Sequence, residues 1–211
     1  MLDLTAVAEA VHRRLEAKHD ARERALRESR AAIRHSANAI RAAHRGEVDE
    51  ATGLLADAER ALASARDACA GQPEVEHAGF LRDAEKEYAE ARTTLAIVTG
   101  APLPGPDELS LSDAAWLNGL AETVGELRRH LLDVLRAGRL GECEALLGTM
   151  DDIYALLVTI DFPDGVTGGL RRSTDVARSI IERTRGDLTT ALVQAQLRDA
   201  LDAHRRDLLG S

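Results

Sequence analysis

The feature that most constrains this chain is where it cannot be helical. Its five prolines fall at only three places: Pro73, the cluster Pro102-Leu-Pro-Gly-Pro106, and Pro163. Each breaks a helix locally, and Gly46 and Gly138 add two further stops. Between the stops, apolar residues recur at intervals of three and four, the period of an amphipathic helix and not of a strand. The spacing predicts helices over 3–44, 48–70, 75–99, 111–136, 140–160 and 167–208, with Gly186 a candidate interruption of the last. Ser112 or Asp113 is placed to cap the fourth. No segment reads as strand-rich or as a flexible interdomain linker. The expectation is one all-α domain over 1–211, with about six to seven long antiparallel helices.

Composition agrees with this. Apolar residues make up 45% of the chain, enough for a sizeable core, but they are mostly alanine and leucine, both strong helix formers. The aromatic residues are Phe80, Tyr88, Trp116, Tyr154 and Phe162 alone. Cys69 and Cys143 have no metal-ligand spacing, so buried reduced thiols are expected. No apolar run approaches the ~20 residues of a membrane span, and the N-terminus lacks a basic segment followed by an apolar one. These signs predict a soluble cytoplasmic protein that does not engage membranes.

Charge sets a further bound. Thirty-six acids against 27 bases give a formal net charge of -9, which argues against a simple electrostatic nucleic-acid binder. Distribution matters more than the sum. Residues 22–45 hold seven arginines and two glutamates. Within them Arg27, Arg30, Arg34, Arg41 and Arg45 run beside an apolar line of Leu26, Ile33, Ala37 and Ile40. A second strip, Arg171, Arg178 and Arg185, recurs every seven residues along the last helix, beside a buried line of Leu170, Thr174, Ala177, Ile181, Thr184 and Leu188. Such stripes can track a phosphate backbone, or they can be helix faces paired with neighbouring acids such as Asp175 and Glu182.

Two acidic pairs stand out against this background. In the third helix Leu81, Ala84, Tyr88, Ala91, Leu95 and Val98 form the apolar face, and Asp83, Glu87 and Glu90 fall on a stripe beside it. In the fourth, Leu117, Leu120, Val124, Leu127 and Leu131 form the apolar face, with Glu122 and Glu126 nearly opposite. Carboxylates one turn apart can share a divalent cation, and they can equally be a solvated edge; Arg129 offers Glu126 an ordinary intrahelical partner. Gly119 and Gly125 each cost this helix roughly 1 kcal/mol relative to alanine, which suggests close approach of another backbone or a ligand.

Taken in order, three segments resemble the translin family: Glu87-Tyr-Ala-Glu-Ala91, Gly119-Leu-Ala-Glu-Thr-Val-Gly-Glu-Leu-Arg128, and Asp161-Phe-Pro-Asp164 with the following Leu-Arg-Arg. The likeness runs from about Arg22, through Ser29-Arg30 and His44-Arg-Gly-Glu47, to about Asp187, and is nearest to the translin-associated factor X branch and its prokaryotic relatives. It implies a hollow homo-oligomer, often an octamer, with a translin-like paralogue as a further partner, and binding of single-stranded RNA or DNA. In the factor X branch, acidic residues support magnesium-dependent endoribonuclease activity, with Mn²⁺ a chemically similar substitute. Carried over by position, Glu87, Glu90, Glu122 and Glu126 become both the metal ligands and the catalytic carboxylates. Glu122 departs from the pattern, since the branch has aspartate there. Arg22, Arg30, Arg34, Arg41, Arg171, Arg178 and Arg185 would hold the strand. His77 resembles a nucleic-acid-contacting histidine of translin proper, although a histidine at a helix start is often structural.

Three functions are therefore in contention. The first is a Mg²⁺-dependent endoribonuclease; the second is a non-catalytic single-strand-binding oligomer. The third, a ferritin-type metal bundle, wants Glu-x-x-His on two helices. Here the residues three after Glu87 and Glu126 are Glu90 and Arg129, so it ranks last.

Overall fold

A computed structural model describes residues 4–209. Among these it has eight helices and no strand. They are α1 (Thr5–His44), α2 (Val48–Cys69), α3 (Pro73–Glu76), α4 (Gly79–Thr99), α5 (Asp113–Arg136), α6 (Leu140–Leu157), α7 (Asp164–Thr167) and α8 (Leu170–Leu209). The six long helices lie where the stops predict. The two short ones, α3 and α7, follow Gln72 and Pro163 and were not anticipated. Gly186 does not interrupt α8. Gly46 and Gly138 both take φ of +77°, a left-handed conformation that ends α1 and α5 without a Cβ penalty. The hydroxyl of Ser112 accepts from the Ala115 N–H at 3.3 Å, so serine is the side-chain cap of α5.

The described contacts divide into two compact units, one up to Leu120 and one from Ala121 onward, with the cut falling inside the continuous helix α5. In the first unit α1 packs along both α2 and α4, and α2 also touches α4. The turn Arg45-Gly46-Glu47 folds α2 back on α1, the helical hairpin expected of so short a connection. In the second unit α6 packs on α8.

The α1 seam corrects one expectation. Leu26, Ile33 and Ala37 are only half-buried, and of the expected line only Ile40 is buried. The buried residues are Ala21, Ala25, Ser29, Ala32, Ser36 and Ala39, with Ala42 and Ala43. Small side chains let α2 and α4 approach closely, so the seam favours alanine and serine over larger neighbours on the same helix. The apolar face of α5 is as the spacing predicts, with Leu117, Leu120, Val124, Leu127 and Leu131 buried. That of α4 holds for Leu81, Ala84, Tyr88 and Ala91, whereas Leu95 and Val98 are only half-buried and Thr93, Thr94 and Ala96 are buried in the last turns.

Cys69 and Cys143 are both free and buried, and burial pushes both thiols up from their ordinary range. Among the described residues no helix is long and apolar enough to cross a membrane.

Candidate functional site

The site is built on one turn of α4 and one turn of α5. Tyr88 anchors the α4 turn: it is buried, and its hydroxyl accepts a hydrogen bond from Arg92 Nη1 at 2.8 Å. With Tyr88 turned inward, helical geometry places Glu87 and Glu90 to the side of the buried stripe, where both are half-buried. Asp83, one turn earlier, is exposed.

Gly119 brings α5 to this turn. A Cβ added there would lie 2.6 Å from the Lys86 carbonyl oxygen, 2.6 Å from Ala89 Cβ and 2.9 Å from the Glu90 nitrogen. Only glycine allows such an approach. Glu122 follows three residues later on the same helix and is also half-buried. One carboxylate oxygen from each of Glu87, Glu90 and Glu122 lies within 4.8 Å of the other two.

Glu126 stands outside that group. It lies one turn beyond Glu122, with Oε2 3.8 Å from Arg129 Nη1. Gly125, also expected to mark a close approach, does not: its nearest contact would be Ile180 Cδ1 at 3.9 Å, an ordinary separation. Lys86 went unremarked in the sequence, yet its Nζ lies 4.0 Å from Glu87 Oε1; its position next to a site carboxylate was the available signal.

The donor set has chemical consequences. Three carboxylates with neither histidine nor cysteine suit hard dications such as Mg²⁺ or Mn²⁺, which take oxygen ligands and retain waters. Zinc in structural sites favours nitrogen and sulfur.

The expected nucleic-acid contacts are spread along the surface. Arg22, Arg30, Arg34 and Arg41 on α1 are all exposed. Arg22 is paired with Glu23, and Arg41 donates to Asn38 Oδ1 at 2.6 Å. On α8, Arg178 is exposed, Arg171 lies 3.5 Å from Asp161, and Arg185 lies 2.7 Å from Asp151. Two of the three arginines on the second strip are thus engaged with acids. His77 is exposed and sits at the C-terminal end of α3, before α4 begins.

No protein-family model matches the chain. The uncharacterized protein MJ0175 of Methanocaldococcus jannaschii is 33% identical over 127 residues, which are 60% of this chain and 57% of that protein. The match thus spans little more than half of that curated relative. Solved structures are matched over more of their length. AfC3PO, in a complex with duplex RNA, is 35% identical with a TM-score of 0.78, covering 89% of this chain and 97% of that one. A crystal structure of AfC3PO has 36% identity and a TM-score of 0.80 over the same shares. Apo-NeC3PO, at 19% identity and a TM-score of 0.73, shares the fold over 90% of this chain and 98% of its own. The fold is the all-helical translin-like one. The chain belongs to the C3PO/translin family.

Proposed function

We propose that this protein binds single-stranded RNA or DNA and hydrolyses RNA internally at a divalent-metal site formed by Glu87, Glu90 and Glu122, with Glu126 assisting. The observation that carries this reading is the convergence of three carboxylates from two helices within 4.8 Å. RNA as the ligand is supported by the likeness to AfC3PO, which forms a complex with duplex RNA.

Glu87, Glu90 and Glu122 would hold Mg²⁺, or Mn²⁺ in its place. When bound, the ion supplies Lewis acidity at a phosphoryl oxygen and a water of lowered pKa. Glu126, one turn from Glu122, would accept the proton of the attacking water as the new phosphorus–oxygen bond forms, and the leaving oxygen would take a proton from solvent as its bond to phosphorus breaks. Arg30, Arg34 and Arg178 are exposed and form no ion pair among the described residues, which leaves their guanidinium groups available to phosphate.

The protein acts as a homo-oligomer, as an octamer or together with a translin-like paralogue. Apolar side chains at helical spacing support association. Leu4, Val7, Val11 and Leu15 at the start of α1, and Val193, Leu197 and Leu201 late in α8, are exposed to solvent in the single chain.

The test is end-labelled single-stranded and duplex RNA incubated with Mg²⁺ or EDTA, alongside a gel shift. Binding with cleavage that EDTA abolishes supports the reading. Binding with no cleavage in either Mg²⁺ or Mn²⁺ leaves a non-catalytic nucleic-acid-binding oligomer.

A further inference from the structure

We infer that Gly119 is a positioning residue for the carboxylate group: its missing side chain sets the separation between the α4 turn carrying Glu87 and Glu90 and the α5 turn carrying Glu122. The inference rests on the metal-site reading above.

A Cβ at position 119 would meet the Lys86 carbonyl oxygen and Ala89 Cβ at 2.6 Å each, and the Glu90 nitrogen at 2.9 Å. Two of these three atoms are helix backbone. They cannot swing aside as the end of a long side chain would, because the helical hydrogen bonds fix them. Lys86 and Glu90 also bracket the ligand-bearing turn, so any shift that admits a Cβ is a shift of Glu87 and Glu90 relative to α5. Carbon contacts settle near ~3.5–4 Å, so relief requires the two helices to part by about 1 Å.

That distance matters to a cation more than to packing. Oxygen–metal distances for Mg²⁺ vary little around ~2.1 Å, and its geometry is close to octahedral. Glu122 lies one turn beyond Gly119 and moves with it. Gly125 provides the contrast, because a Cβ there would touch nothing closer than Ile180 Cδ1 at 3.9 Å. Both glycines weaken α5 as a helix, but only Gly119 is held at backbone-contact distance beside the carboxylates.

The test is Mn²⁺ binding to metal-free protein without RNA, read from the paramagnetic resonance signal of free Mn²⁺, with helicity and melting followed in parallel. Wild type, G119A, G125A and E87Q are compared. We expect G125A to bind as wild type does. G119A should keep wild-type helicity yet bind Mn²⁺ at least about tenfold more weakly. G119A/A89G, which removes one of the three clashing atoms, should recover part of the loss. A folded G119A that binds Mn²⁺ as tightly as wild type, while E87Q does not, overturns the inference and spares the metal site. Equal binding by wild type and E87Q overturns the metal site and the inference with it. If neither G119A nor G119A/A89G folds, Gly119 serves the fold rather than the site, and the inference fails.

Discussion

Arg66 on α2 grips a single oxygen of Glu85 on α4, its Nε donating at 3.0 Å and its Nη2 at 2.7 Å. The Glu85 side chain is only 13% exposed, so the pair is a partly desolvated tie between two helices rather than a solvated ion pair. Removing the arginine leaves a mostly buried carboxylate without this partner. Arg66→Ala should therefore lower stability by about 1–3 kcal/mol, measured as the shift of the urea unfolding midpoint. Loss of under half the lower figure would mean that water replaces the guanidinium at no cost.

The carboxylate group should make stability depend on metal. One carboxylate oxygen from each of Glu87, Glu90 and Glu122 lies within 4.8 Å of the other two, so a dication that joins them binds the folded state and not the unfolded one. Mg²⁺ should raise the melting temperature of wild type, and Glu90→Gln should abolish that rise. At a hundredfold excess over Kd that rise corresponds to about 2.7 kcal/mol. Differential scanning calorimetry with Mg²⁺ and with EDTA distinguishes the four states.

RNA affinity should fall steeply with salt, because five aromatic residues leave little scope for base stacking. Arg30→Ala and Arg34→Ala should each reduce the slope of log affinity against log salt by about 0.7 for a single strand. Fluorescence anisotropy across a salt series reads this directly. An unchanged slope places the phosphate contacts elsewhere.

Buried titratable groups predict the alkaline limit. Burial pushes the Tyr88 phenol above its ordinary value of 10.0, although Arg92 opposes the shift. A group whose folded pKa is raised contributes stability that is intact below the unfolded value and lost as pH climbs through the folded one. Stability should thus drop above about pH 10. Tyr88→Phe, which loses the bond from Arg92 at a cost of about 1 kcal/mol at neutral pH, should lose less on going to alkaline pH. Burial likewise raises the Cys69 and Cys143 thiols, so a colorimetric thiol reagent should label neither in native protein and both in guanidinium.

The helices were legible because the breaks between them are chemical: Gly46 and Gly138 follow the ends of α1 and α5, and Pro73 and Pro163 stand at the starts of α3 and α7, for reasons that act locally. The α5 face was legible because Leu117, Leu120, Val124, Leu127 and Leu131 are large and alone at their spacing. The α1 face was not. Alanine occurs around so much of that helix that several stripes qualify, and only contact with α2 and α4 selects Ala25, Ser29, Ala32 and Ser36 over Leu26 and Ile33. Intrahelical spacing placed Glu87 beside Glu90, and Glu122 beside Glu126. It carried no information on which member of the second pair faces the first, because that is set by the approach at Gly119. Gly125 showed the same sequence signal as Gly119 without the contact, so a glycine within a helix marks a question rather than an answer.

The central claim is that Glu87, Glu90 and Glu122 together cut RNA with a divalent cation. Its most direct test is single-turnover cleavage of 5′-labelled RNA in Mg²⁺ by wild type, Glu87→Gln, Glu90→Gln and Glu122→Gln, each first shown to bind RNA with wild-type affinity. We expect cleavage by wild type that EDTA stops, and a loss of about a hundredfold or more in each variant, since each removes a proposed ligand of the metal. Cleavage at the wild-type rate by all three variants, or none by wild type in Mg²⁺ or Mn²⁺, would contradict it.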